Sequence, residues 1–182
     1  KRKSPLITVR MEIESLVKSA WDSLPARPAP TALAEPGPYM LELAIPDLHL
    51  GKLAWKPETG YANYDIRTGE KLFDKALDTL LARVASFPFE RIVFPIGNDV
   101  LHSDTKQGTT TAGTPLDTDS RFHKNFMVVR RMVSRAIEGL REIAPVHAVL
   151  VPGNHDTLAV WHLGDSLECL YGQASDVTID NA

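Results

Sequence analysis

Cysteine is nearly absent from this chain, Cys169 being the only one. No disulfide can close within it, and a reducing, cytoplasmic setting is expected. Long apolar runs are also missing. None approaches the ~18 residues that read as a bilayer span. The basic start Lys1-Arg2-Lys3 leads into a stretch broken by Glu12 and Glu14, not into a signal-peptide core. No membrane association is expected. Nor is there a large excess of charge, since 20 basic residues stand against 23 acidic ones for a net of −3. A chain-wide basic field that would draw in nucleic acid is thereby excluded, and such a partner would need a local patch. No internal repeat is found. What is present is a globular composition, 43% hydrophobic with three Trp, six Phe and four Tyr in 182 residues. That suits one domain or a domain with an appendage.

Met11 to Leu24 places Ile13, Leu16, Val17, Ala20, Trp21 and Leu24 on one helical face. The chain begins without methionine, so residues 1–24 read either as the tail of an upstream domain or as a helix that packs on the main domain or on a second subunit. A homo-oligomer formed through this helix or through an exposed sheet edge is the corresponding expectation. Five prolines between Pro25 and Pro38 then mark residues 25–38 as a linker. From Tyr39 to the end, residues 39–182, the pattern is that of a folded domain. Strands are expected at Met40–Ile45, Arg91–Ile96 and Val146–Val151. Helices are expected at Lys71–Val84, with Leu72 and Phe73 among its inward residues, and at Arg121–Ile143. Strands alternating with helices of this length predict an α/β fold of βαβ units, in which ligand groups gather at the carboxyl ends of the strands.

Three polar clusters lie at those ends. The first is Asp47-Leu48-His49. Two residues apart in extended chain, a carboxylate and an imidazole point the same way and can share a cation, although the triplet alone reads equally as a polar turn. The second is Gly97-Asn98-Asp99-Val100-Leu101-His102. Its glycine allows a sharp turn, and Asp99 could bridge two cations held ~3.5–4 Å apart. Asp104 is a contender for the same role, but Asp99 stands closer to the strand end. The third is Gly153-Asn154-His155-Asp156, whose Asn carbonyl is a neutral hard ligand and whose His can face a substrate.

In this order, the three motifs resemble those of the calcineurin-like metallophosphoesterases, over about residues 39–156. The resemblance implies a metallophosphoesterase-type sheet core flanked by helices. It assigns Asp47 and His49 to one metal, Asp99 to a bridge and Asn154 to a second metal. His155 would stabilise or protonate the leaving oxygen, steered by Asp156. Two divalent ions are implied, Mn²⁺ first, with Fe, Zn or Mg as alternatives, activating water for attack on phosphorus. In this family the second motif is usually Gly-Asp, whereas Asn98 intervenes here. The family's later isolated histidine and Gly-His-X-His pair have no counterpart after Asp156, and His162 lacks the glycine pattern. The expectation is therefore the βαβαβ N-terminal half of a two-sheet sandwich, which by itself holds metal loosely.

The run Asp99-Val100-Leu101-His102 resembles the aspartate-x-x-histidine of DNA double-strand-break repair nucleases, which gives His102 a place on the scissile phosphate. Residues 108–119 resemble a loop of phage-encoded, exonuclease-like phosphoesterases, and read either as a rim over the metal site or as disorder. A phosphodiesterase acting on DNA is the first expectation. A phosphatase of proteins or small metabolites is the second, and a metal-free scaffold that keeps only the fold is the third. Lys124, Arg131 and Arg135, with Arg121, Arg130 and Arg141, could neutralise backbone phosphates or form a solvated face blunted by Glu138 and Glu142. His123 and His147 are expected to be structural, and Cys169 to be a small core residue.

Overall fold

The computed structural model describes residues 37–181. The helix expected over 1–24 and nearly all of the linker expected over 25–38 lie outside them. The described elements are β1 (Tyr39–Glu42), α1 (Lys56–Thr59), α2 (Ile66–Val84), β2 (Phe89–Gly97), α3 (Phe122–Arg141), β3 (Val146–Val151), α4 (Thr157–Tyr171) and β4 (Val177–Asp180). The architecture is α/β, a four-stranded parallel sheet in the order β1-β2-β3-β4 with flanking helices. Strand order that follows chain order lays successive helices side by side. Accordingly α2 packs on α3, and α3 on α4. No helix among the described residues is long and apolar enough to cross a membrane.

The core lies between the helices and one face of the sheet. Ile92, Phe94 and Ile96 of β2 alternate with half-exposed neighbours, as do Val146, Ala148 and Leu150 of β3, the period-two pattern of strand burial. Helix α3 contributes Val129, Met132, Val133, Ala136, Ile137 and Leu140, at helical spacing. Its end is tied down by the buried Arg141, whose guanidinium donates to both carboxylate oxygens of Asp176 at 2.8 and 2.6 Å.

Several expectations shift. Helix α2 begins at Ile66 instead of Lys71, because Asp65 caps it by accepting the Thr68 N–H at 2.7 Å. The buried face then runs through Ile66, Gly69 and Phe73, which leaves Leu72 half-exposed on the flank. Helix α4 and strand β4 were not anticipated. Helix α4 buries Ala159, Val160, Leu163, Gly164, Leu167 and Tyr171, and this stripe turns Cys169 outward, so Cys169 is exposed and not a core residue.

Strand β1 is shorter than expected. It leaves the sheet after Leu43 donates to the Val93 carbonyl. Pro95, in the middle of β2, has no N–H to offer, and its nitrogen faces the side that β1 has vacated. The departing chain becomes the first-motif loop.

Candidate metal centre

The three motif loops meet at the carboxyl edge of the sheet, joined by backbone hydrogen bonds. Asp47, His49 and Leu50 donate to the carbonyls of Asn98, Asp99 and Val100 at 2.9, 2.8 and 2.8 Å, and His102 returns one to Leu50 at 3.0 Å. The ligand positions are not extended chain. Asp47, His49, Asn98 and Asp99 all have positive φ, of 60°, 48°, 49° and 68°, and among the described residues they are the only non-glycine positions that do. Asp47 and His49 therefore meet because the loop curls, not because alternate residues of a strand face one way. Each such residue costs about 1–3 kcal/mol and persists only where its surroundings over-determine it.

The third loop closes on the second through two contacts. The His155 N–H donates to Asp99 Oδ1 at 2.8 Å. A Cβ on Gly153 would collide with Asp99 Oδ1 and with the Asp99 backbone nitrogen, so only glycine permits this approach. Asp156, completely buried, accepts the Leu101 N–H at 2.9 Å and the Gly153 N–H at 3.0 Å. Its carboxylate thus staples the loops together and does not steer His155 as expected. The His155 ring is held by the His102 carbonyl, 2.8 Å from Nδ1.

Two overlapping sets of ligand atoms result, each lying within 4.8 Å of one another: His49, His102 and His155, and Asp47, His49 and Asp99. His102 and His155, expected to face the substrate, are thus within ligand distance of each other and of His49. Asn154 sits in the same turn, exposed, with its backbone carbonyl accepting the Thr111 N–H at 3.3 Å. Its side chain makes no hydrogen bond among the described residues.

Proton positions follow from the partners. A carbonyl only accepts, so His155 Nδ1 carries hydrogen, and the neutral ring presents a lone pair at Nε2. His49 Nε2 lies 3.0 Å from Asp47 Oδ1, a spacing at which the two atoms can share one ion. His49 Nδ1 and His102 Nδ1 lie 3.3 Å apart, and the tautomers decide which of them donates. The electrostatics favour neutral rings at His49 and His102. Burial, then the neighbouring His49, His155 and Lys52, push His102 down to about 4. Burial and His155 lower His49 against the opposing pull of Asp47 and Asp99. Burial, helped by the charge of Asp99, also pushes Asp156 up to about 6, outweighing the backbone N–H groups of Leu101, Gly153 and Asp99.

Asp104 is not a ligand of this cluster. It is buried in another role, accepting from Leu158 N–H, Ala159 N–H and the Thr111 hydroxyl at 3.1, 2.7 and 2.7 Å, and so caps α4 from outside the helix. The loop over 108–119 is folded, with Thr111 bonded to both Asp104 and the third motif loop, and Asp119 bonded to Gly51 at 2.9 Å. The basic face of α3 is partly engaged, since Arg135 reaches Glu70 at 3.0 Å and Arg141 is buried on Asp176. His147 lies 3.9 Å from Asp180, on the sheet and in neither ligand set. Sequence reasoning passed over Lys52. Its position three residues after His49 and directly after Gly51 was the available signal. Compared with family models, curated proteins and solved structures, the chain matches none.

Proposed function

We propose that this chain carries the metal-binding part of a calcineurin-like metallophosphoesterase that hydrolyses phosphodiesters, with DNA as substrate. The observation that carries the reading is the convergence of Asp47, His49, Asp99, His102 and His155 from three separate strand ends onto one spot. Carboxylate and imidazole donors suit Mn²⁺, Fe, Zn or Mg in different measure. The lowered proton affinities of His49 and His102 remove a competitor for such an ion. Bound divalent ions would supply charge for the phosphoryl oxygens and a more acidic water.

The chain's own residues do the rest. Asp47 and His49 would hold one ion, Asp99 would be shared with a second, and Asn154 stands in the turn beside them. Asp99 is oriented by the His155 N–H, so the bridging carboxylate and the third loop move as one body. His155 in its neutral form accepts at Nε2. Only as imidazolium, with Nδ1–H still on the His102 carbonyl, can it give a proton to a leaving oxygen. His102, the more buried ring, is the better suited to remain neutral.

The reading is tested by titrating the chain calorimetrically with Mn²⁺, alongside Asp99→Asn and His49→Ala. Binding that is lost in both variants supports it. Heat of binding unaffected by either change overturns the metal assignment. Mn²⁺-dependent cleavage of linear DNA that disappears in His102→Ala is the expected activity. Hydrolysis of phosphomonoesters without cleavage of DNA would turn the reading toward a phosphatase.

A further inference from the structure

The first-motif loop continues into an arm that the hydrolytic chemistry does not use. Residues 52–65 run out from the loop and return to it, and hydrogen bonds hold them throughout. Lys52 N–H donates to the His49 carbonyl at 3.0 Å and Leu53 N–H to the Asp117 carbonyl at 3.1 Å. Ala54 and Tyr64 exchange backbone bonds of 2.9 Å in both directions, and Lys56 N–H donates to Asn63 Oδ1 at 2.8 Å. The Tyr64 hydroxyl donates to the Leu48 carbonyl at 2.6 Å. That last bond lands between Asp47 and His49, so the base of the arm is anchored inside the metal loop itself.

The backbone of this arm is held in place, yet it turns its large apolar groups to solvent. Trp55 is 58% exposed and Tyr61 is 89% exposed. One exposed aromatic needs no explanation, but an indole and a phenol on one short anchored arm beside a ligand cluster do. The same arm carries two cations, Lys52 and Lys56, and neither has a carboxylate partner among the described residues. Of its carboxylates, Asp65 is engaged in capping α2, which leaves Glu58. Lys52 follows His49 by three residues and its backbone N–H is bonded to the His49 carbonyl, which keeps this cation at the root of the ligand loop.

We infer that the arm receives an unpaired polynucleotide strand, with Trp55 and Tyr61 stacking on bases and Lys52 contacting a backbone phosphate beside the ester to be cut. The inference rests on the phosphodiesterase reading and narrows its substrate. Bases in a duplex already stack on each other, so exposed aromatic faces reach only bases that have left the helix. Cations interleaved with aromatics are the combination that binds single strands with little regard to sequence. The net charge of −3 is no obstacle, because the attraction is local to the arm.

The test uses fluorescence anisotropy of a labelled oligothymidylate with the whole chain in a chelator, so that binding is read without cleavage. Single strand should bind more tightly than duplex of equal length. Trp55→Ala and Tyr61→Ala should each weaken binding about tenfold, while Trp55→Phe retains most of it. Lys52→Ala should weaken binding and lower the salt slope by about one. Both aromatics are exposed, and unchanged thermal melts will show that the variants fold. Mn²⁺ titration of the same aromatic variants should match the parent. Oligonucleotide binding unaltered in both aromatic variants, or a duplex that competes equally, overturns the inference while leaving the metal reading intact. Absence of Mn²⁺ binding in the parent, with the aromatic dependence preserved, would remove the hydrolytic reading and leave the arm as a strand-binding element.

Discussion

The backbone N–H of His155 donates to Asp99 Oδ1 at 2.8 Å, so the turn after β3 is fastened to the carboxylate that ends β2. Two residues fifty-six apart in sequence thereby share one orientation. The bond forms because Gly153, two residues before His155, offers no Cβ to hold the loops apart.

Gly153→Ala should therefore act on the centre without removing any ligand. The new methyl meets Asp99 at both backbone and carboxylate, and one loop must retreat. A loss of about 1–3 kcal/mol in stability is expected, as for overpacking elsewhere, together with at least tenfold weaker Mn²⁺ binding. Chemical denaturation and calorimetry measure the two. Mn²⁺ affinity equal to the parent's would show that the close approach does not position Asp99.

Protonation of His102 should couple acid to unfolding in the metal-free protein. The native ring holds its proton only below about 4, whereas an unfolded histidine does so from 6.5. Between these values the unfolded chain binds the extra proton, so stability falls as pH drops through this window. Asp156 works in the opposite sense, since its native carboxyl stays protonated up to about 6 and favours the fold at acid pH. Comparison with His102→Gln separates the two. The stability of the parent relative to this variant should decline from pH 7 to pH 4, by about 1–2 kcal/mol with solvent screening allowed for. A gap that stays flat over that range contradicts the placement of His102.

Asp104→Ala should destabilise the fold by about 2–3 kcal/mol, because two N–H groups at the start of α4 and the Thr111 hydroxyl lose a buried acceptor. Were Asp104 a metal ligand instead, its loss would abolish Mn²⁺ binding under conditions where the protein remains folded. Denaturation and titration of the same sample distinguish the two.

Cys169 should react with a thiol reagent in the native state at a rate close to that of the unfolded chain, as its exposure on α4 requires. Labelling that waits for unfolding would place it back in the core.

Much of this protein was legible in its sequence because the signals are local. The alternation of Val146–Val151 sets β3 to the residue, and the stripe from Val129 to Leu140 sets the buried face of α3. Apolar strands followed at once by Asp-X-His, Gly-Asn-Asp and Gly-Asn-His bring those groups to one sheet edge, since a parallel sheet aligns its carboxyl ends. Other features depend on contacts between distant segments. Asp104 and Asp99 are equivalent as letters, and only the packing of α4 against the second loop makes one a cap and the other a member of the cluster. Asp156 looked like a companion of His155, but its oxygens are taken by backbone N–H groups of two loops. The left-handed turns at Asp47 and His49 are unfavourable, and although Asp and His tolerate that region better than most residues, the tolerance does not say which positions adopt it. Residue chemistry and strand periodicity were thus properties of the sequence alone. The division of labour among the carboxylates and rings belongs to tertiary structure, because a buried oxygen serves whichever donors the folded neighbours bring to it.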